Sequence, residues 1–273
     1  MGWNSLDTLW ARVRVALTPR PTFVPLGDHA LAVTWRGDRI FLSARDLGIT
    51  PYLATSRRWE PAVERLLGRL LRPGHIVVEC GANVGYHTLG MGHAVGPAGH
   101  VHAFEANPEV IRLLQLTIGM ARFRSRVTIA NLAVSDRAGM VQIMADPSNT
   151  ASGHIACQAT GHLYTQKFTV PAIRLDDALA DQPGIDLLRM DIEGSEGLAL
   201  QGANALIARS PNLRIVLEWA PALMQLRSNV ADTVAFLARH GFQAQVIDRA
   251  GLRPVPLDAL PTMGIEELLF TRP

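Results

Sequence analysis

One stretch limits what this chain can fold into: His75-Ile-Val-Val-Glu-Cys-Gly-Ala-Asn-Val-Gly-Tyr-His-Thr88. Its β-branched run, Ile76-Val77-Val78, reads as a buried strand. The strand ends in Glu79 and turns through Gly81-Ala82-Asn83-Val84-Gly85 into a helical segment, Tyr86 to Ala94. Strand, glycine-rich turn and helix, in that order, form the mouth of a nucleotide-type pocket in an open α/β sheet. Glycine and asparagine accept the positive φ of such a turn and let a ligand approach the backbone.

The rest of the chain supports that sheet. Ala30 to Trp35 and Arg39 to Ser43 alternate around Arg36-Gly37-Asp38 and predict a β-hairpin. Pro61 to Leu71 is an amphipathic helix opened by proline and closed by Arg72-Pro73-Gly74. Strands are expected at Val101–Glu105, Val127–Ala130, Ile185–Met190 and Arg214–Trp219. Helices are expected at Pro108–Arg122, Glu196–Ala208 and Val230–His240, the last closed by Gly241. Met140–Met144 and Phe168–Ile173 read as added strands joined by a polar loop. Phe242–Ile247 and Leu268–Thr271 read as the last two strands, separated by a proline-containing loop. Alternating strands and helices imply a mostly parallel sheet covered on both faces. Asp176-Asp177 reads as the N-cap of a short helix.

Composition excludes several classes. The 273 residues are 48% hydrophobic and 18% charged, enough for a core and against disorder. Twenty-six basic residues oppose 24 acidic ones, for a net charge of +2, with no basic run to serve as a nucleic-acid footprint. Cys80 and Cys157 match no metal spacing. No apolar stretch approaches the roughly 20 residues of a membrane span, and the first residues lack the pattern of a signal peptide. The expectation is a soluble, cytoplasmic protein. Trp3, Leu6, Trp10, Val13 and Leu17 share one helix face. The first reading is a helix packed on the main domain; the second is peripheral contact with a membrane or protein through residues 1–17.

The ligand can be narrowed by counting glycines. A dinucleotide fingerprint needs G-x-G-x-x-G, but from Gly81 the second and third positions are Asn83 and Tyr86. The second glycine is the one that admits a pyrophosphate, and no Gly-Lys-Ser/Thr follows to make a P-loop. This counts against a dinucleotide oxidoreductase. Two strand-end acids sharpen the reading. Glu79 is suited to an ammonium group. Glu105, about 20 residues past Gly85, stands where an acid holds ribose hydroxyls. S-adenosylmethionine, with a ribose and an amino-acid tail, satisfies both.

Val78-Glu-Cys-Gly-Ala-Asn-Val-Gly-Tyr-His-Thr88 resembles the G-A-N-x-G-x-x-T signature of FkbM-type methyltransferases, a branch of the class I S-adenosylmethionine-dependent enzymes. Phe104-Glu-Ala-Asn-Pro108, Asn131-Leu-Ala-Val-Ser-Asp136 and Arg189-Met-Asp-Ile-Glu-Gly-Ser-Glu196 are similar to further family blocks, in order. Trp59-Glu60-Pro61 and Leu217-Glu218-Trp219 also look like family features, so the similarity spans roughly residues 55 to 220. Cys80, Glu79 and Arg189 depart from the commoner aliphatic residue, aspartate and lysine. The resemblance implies a Rossmann-like class I methyltransferase fold. It comprises a mostly parallel seven-stranded sheet with helices on both faces, over residues 61–273, preceded by an N-terminal helix and β-hairpin extension over residues 1–60. It further implies a cofactor site of Glu79, Gly81, Ala82, Asn83, Gly85 and Thr88, of Glu105 with Ala106, of Ala133, Val134 and Asp136 beside the adenine, and of Asp191 near the sulfonium.

Methyl transfer to oxygen needs alignment of the reacting atoms and a base for the acceptor's proton. Asp191, leaving a strand at the carboxyl edge, is the first candidate. Glu193, Glu218 and His154 follow, His154 in the polar Ser148–Gly161 segment, which is long enough for a lid. Asp191, Glu193 and Glu218 could form a magnesium set, but the sequence shows no compact ligand cluster and no metal is expected. The reading is an O-methyltransferase acting on a sugar, glycan or polyketide-like small molecule. An N- or C-methyltransferase, or a non-catalytic cofactor-binding adaptor, is the alternative.

Overall fold

The computed structural model describes residues 22–157 and 166–273; the helix expected over residues 1–17 lies outside them. The described chain opens with an antiparallel sheet of β1 (Phe23–Leu26), β2 (His29–Val33) and β3 (Arg39–Ser43). The predicted hairpin is β2–β3, and β1 is a strand the sequence reading did not provide. Helices α1 (Ile49–Thr55) and α2 (Pro61–Leu70) lead to β4 (Ile76–Cys80), α3 (Tyr86–Ala94), β5 (His100–Phe104), α4 (Val110–Gly119) and β6 (Val127–Ala130). Alternation in β2 and β3 buries Ala30, Ala32, Ile40 and Leu42 against Leu113, Leu114 and Ile118 of α4. The Phe41 amide donates to Thr117 Oγ1 at 3.0 Å. Glu64 of α2 ties the hairpin turn to α3: it accepts from Trp35 Nε1 at 2.5 Å, Tyr86 Oη at 3.0 Å and the Arg36 guanidinium.

A second sheet follows, ordered β7-β10-β8-β9, from β7 (Ala133–Val134), β8 (Gly139–Asp146), β9 (Asn149–Ile155) and β10 (Gln166–Ile173). Here the expected polar loop is corrected. Asn149–Ile155 pairs antiparallel with β8 (Ile143 opposite Ile155, Met144 opposite His154). Asp146 closes the turn, its Oδ1 accepting from the Ser148 amide at 2.8 Å and hydroxyl at 2.7 Å.

The chain then runs through α5 (Leu175–Ala178), β11 (Leu187–Met190), α6 (Glu196–Gln201), α7 (Asn204–Ala208), β12 (Arg214–Trp219), α8 (Pro221–Met224), α9 (Val230–Arg239), β13 (Gln243–Ile247), β14 (Leu252–Val255) and β15 (Glu266–Thr271). The main sheet is ordered β14-β13-β15-β12-β11-β4-β5-β6. Parallel pairing runs from β6 to β12, and β15 enters antiparallel between β12 and β13. Val78, Cys80, Leu188, Met190, Ile215 and Leu217 bury one face of it, and Val77, Val101, Leu187, Val216 and Leu269 the other. This is the expected α/β fold with one strand more. The eighth, β14, comes from the presumed proline loop, and Pro254 is tolerated because β14 is the sheet's edge. No described helix is long and apolar enough to cross a membrane.

Two local expectations are overturned. The helix foreseen over Glu196–Ala208 is broken at Gly202, where a Cβ would lie 2.0 Å from the Ser135 carbonyl oxygen. Asp176 does not cap its own helix, whose N-cap is Arg174. Its carboxylate instead accepts from the Ala205 amide at 3.2 Å and the Leu206 amide at 2.8 Å, capping α7. Asp176→Ala is therefore expected to cost about 1–2 kcal/mol, read as a lower urea midpoint with unchanged slope; an unchanged midpoint would remove the capping role.

Candidate functional site

The site begins at the turn between β4 and α3. Gly81, Asn83 and Gly85 have φ of 81°, 49° and 94°. A Cβ on Gly81 would lie 1.9 Å from the Asp191 carbonyl oxygen, and one on Gly85 2.7 Å from Leu114 Cδ1. Gly81 therefore demands glycine for space as well as for φ, and Gly85 for φ. Glu105, leaving β5, holds the turn in place: Oε2 accepts from the Asn83 amide at 2.9 Å and Oε1 from the Asn107 amide at 2.8 Å. Asn131 Nδ2 donates to the carbonyls of Glu105 and Ala106 at 2.8 and 3.0 Å, fixing that strand exit.

A cavity opens above these strand ends. Its wall takes Gly81, Ala82 and Asn83 from the turn, Phe104, Glu105 and Ala106 from the exit of β5, and Leu132, Ala133 and Val134 beyond β6. Ile143 of β8 and Thr150, Ala151, Gly153, His154 and Ile155 of β9 close another side. Ile49 and Trp59 come from the extension, and His87, Arg189, Asp191, Ile192 and Ser195 complete it. The predicted cofactor residues Gly81, Ala82, Asn83, Glu105, Ala106, Ala133, Val134 and Asp191 thus meet on one wall.

Four others are placed elsewhere. Glu79 lies beneath the wall, buried, with Oε2 accepting from Thr88 Oγ1 at 2.5 Å. Burial, opposed by Arg189, pushes its carboxyl up to about 7. Thr88 is spent on that bond, and Gly85 packs against α4. Asp136 accepts from Ser135 Oγ at 3.1 Å and pairs with Arg137 at 3.6 Å, off the wall.

Sequence reasoning left Arg189 without a role, and the structure supplies one. It is 3% exposed, in the middle of β11 and in register with Glu79 of β4. Its guanidinium reaches Asp191 Oδ2 at 3.0 Å, Glu60 Oε2 at 3.3 Å, Glu79 Oε1 at 3.7 Å and the Gly81 carbonyl at 3.5 Å. Glu60 sits at the N-cap of α2 with φ of 44°, and His87 Nε2 donates to its Oε2 at 2.9 Å. The hydrogen bond from His87, with the charge and hydrogen bond of Arg189, overcomes the opposing effect of burial and holds Glu60 down at about 2. Burial keeps His87 below the usual histidine range, so its ring is the neutral donor. Trp59-Glu60-Pro61 was the sequence signal for this corner; which strand it would meet was not readable.

Among the candidate bases, Asp191 is on the wall, and removal from water raises its carboxyl against the pull of Arg189. The Glu193 and Glu218 carboxylates lie behind it, all three able to bring an oxygen within 4.8 Å of the others. That corrects the expectation of no compact cluster: Glu218 arrives from the neighbouring strand β12. The group has the donor chemistry to hold a divalent cation. Burial first, then the negative charge of Asp191, pushes Glu193 up to about 8 and Glu218 up to about 10. Glu267, opposite Glu218 in the β12–β15 ladder, is pushed up to about 8 by burial and then by Glu60 and Asp191. His154 is buried on the wall, donating from Nδ1 to the Ser152 carbonyl at 2.9 Å.

Residues 79–244 match the family model described as Methyltransferase FkbM domain. The chain belongs to the FkbM methyltransferase family. Among curated relatives, 31-O-demethyl-FK506 methyltransferase FkbM from Streptomyces tacrolimicus is 30% identical over 200 residues, covering 63% of this chain and 74% of the relative. A solved FkbM methyltransferase from Methylobacillus flagellatus KT is 18% identical with a TM-score of 0.47, over 76% of this chain and 50% of that one. An O-methyltransferase from Thermotoga maritima, SAM-dependent by its description, is 15% identical with a TM-score of 0.46, over 94% and 96% of the two chains.

The acid cluster of this FkbM methyltransferase carries a sign for stability. Glu79 and Glu196 at about 7, Glu193 and Glu267 at about 8 and Glu218 at about 10 all lie above the ordinary carboxylate value. Between pH 7 and 9 the folded state therefore holds more protons than the unfolded chain, unfolding releases them, and raising the pH favours unfolding. Histidines shifted downward are neutral in both states there. The melting temperature of the ligand-free protein is expected to fall steadily across that window; a flat or rising profile would contradict a protonated cluster. Arg189→Met removes the one cation shared by three acids and is expected to destabilise by about 3–5 kcal/mol at neutral pH in urea titration.

Proposed function

We propose that the cavity binds S-adenosylmethionine and that the enzyme transfers its methyl group to a hydroxyl oxygen of a sugar, glycan or polyketide-like small molecule. The observation that carries the reading is the wall itself, which joins Glu105, the pyrophosphate-excluding turn at Gly81–Asn83 and Asp191 in one surface. The family membership and the 31-O position in the name of the Streptomyces relative support an oxygen acceptor.

The residues fit such a ligand. Each Glu105 oxygen uses one lone pair on a turn amide and keeps another for a ribose hydroxyl. Phe104, Leu132, Ala133, Val134 and Ile143 offer an apolar slot for a purine. Asn83 Oδ1 and Ser195 Oγ, both on the wall, have no partner among the described residues, and buried polar atoms of that kind call for one. The Gly81 carbonyl and Asp191 suit an ammonium group. When bound, S-adenosylmethionine supplies a methyl group on a good leaving group. The chain then has to hold the acceptor in line and take its proton, and alignment alone is worth about 7–11 kcal/mol of barrier. Among the candidate bases Asp191 is the one whose carboxylate lines the wall; its elevated affinity for a proton suits a base working near neutrality. Burial, and after it the negative charge of Glu60, keeps that affinity high against the pull of Arg189.

Calorimetry should show S-adenosylhomocysteine binding in about the micromolar range, with NAD inert; NAD binding in its place would overturn the cofactor assignment. Glu105→Ala should weaken that affinity by about tenfold or more, and equal affinity would take the ribose role from Glu105. Transfer of labelled methyl into candidate polyols and macrolides, followed by location of the labelled atom, decides between oxygen, nitrogen and carbon acceptors.

A further inference from the structure

The far side of the cavity is assembled from two segments 104 residues apart, joined through one carboxylate. Asp46, 2% exposed, lies just before α1. Its Oδ2 accepts from the Thr50 amide at 2.6 Å. Its Oδ1 accepts from the Thr150 amide at 2.9 Å and from Thr150 Oγ1 at 3.1 Å, across on β9. The Leu47 amide adds a bond to the Ser148 carbonyl at 2.7 Å. Ile49 on one side of this clasp and Thr150, Ala151 and His154 on the other all face the cavity.

The hairpin that carries those residues is held unevenly. Near its base, β9 is laddered to β8 at Ile143–Ile155 and Met144–His154, and Arg227 Nε donates to the Ile155 carbonyl at 2.8 Å. Toward the tip the register shifts between Met144 and Asp146, and β9 is the sheet's edge strand, paired on one side only. There, the hydrogen bonds from Asp46 and Leu47 tie the hairpin to the body of the protein. Base fixed, ladder interrupted and tip clasped by a buried charge is the arrangement of a hinged cover.

We propose that Asp46 is a positioning residue that latches the β8–β9 hairpin over the cofactor site and sets the rate of cofactor exchange. The inference rests on the cavity being the S-adenosylmethionine site, and it concerns rates, whereas that assignment concerns binding. A latch that opens in free and bound protein alike raises entry and exit together when weakened, and barely moves the equilibrium. A static wall residue changes exit alone and moves the equilibrium with it.

The test is stopped-flow tryptophan fluorescence with S-adenosylhomocysteine, Trp59 being on the wall. Asp46→Asn leaves one acceptor oxygen for two segments and should raise both association and dissociation rates by about tenfold, with Kd moving less than about threefold. A second variant works in the opposite sense. A Cβ at Gly48 would lie 3.5 Å from Asn149 Cγ, so Gly48→Cys with Asn149→Cys is placed for a disulfide across the clasp. Oxidised, it should slow both rates by about tenfold or more, and reduction should restore them. Unchanged rates in Asp46→Asn, a rise in dissociation alone, or free exchange through the oxidised pair would each overturn the latch. Wild-type protein that binds no S-adenosylhomocysteine would instead remove the cofactor assignment, and the latch with it.

Discussion

A single buried guanidinium organises the corner of the cavity beside Asp191. Arg189 arrives on the central strand β11, where its neighbours in the ladder are Glu79 on β4 and Val216 on β12. An isolated charge in that position would be prohibitive, and it is tolerated because three carboxylates and a backbone carbonyl surround it. Those partners come from different parts of the chain: the end of the extension, the floor of the turn, and the rim. The ion network therefore couples elements that the sheet alone would leave independent. It also explains how Glu60, a non-glycine residue, is kept in left-handed backbone at the start of α2.

The opposite side of the same corner is compensated only in part, by Arg227 toward Glu193 and by Arg189 toward Glu267. Glu193, Glu218 and Glu267 approach one another on β12, β15 and the loop after β11, and like charges directly opposed across a ladder are destabilising. Burial first, and the neighbouring acids after it, displace their carboxyls upward, so they hold protons near neutrality. Such a cluster sacrifices stability to keep acidic groups beside Asp191, and it belongs with the local violations of good folding rules that gather at functional sites. Among the described residues, three of the four non-glycine residues with positive φ, Glu60, Asn83 and Glu193, lie around this site.

Much of the site was legible because it is local. The β4 turn and Glu105 are each marked by a strand end and its spacing, and Asp191 by the resemblance of its block to the family's. What depended on lateral pairing was hidden. Glu218 stands beside Asp191 only because β12 is the parallel neighbour of β11, and Arg189 meets Glu60 only because α2 begins beside that strand. β8 was expected, but β9 was misread as a loop because its residues are small and polar; its pairing is set by Asp146 and by the Asp46 clasp rather than by hydrophobic alternation. Pro254 concealed the edge strand β14, and the break at Gly202 reflects contact with Ser135, which no helical periodicity could announce.

The packing of Gly81 against the Asp191 carbonyl has an evolutionary consequence. With that backbone contact, no side chain can be introduced at Gly81 without separating β4 from β11. That point of the floor is closed to variation, and a change in the accepted molecule has to be made on the other walls. Trp59, Ile49 and the residues of β9 are contributed by segments outside the parallel core, and β9 is paired on one side only. They are where redesign of acceptor choice would begin, and where divergence within the family has room to act.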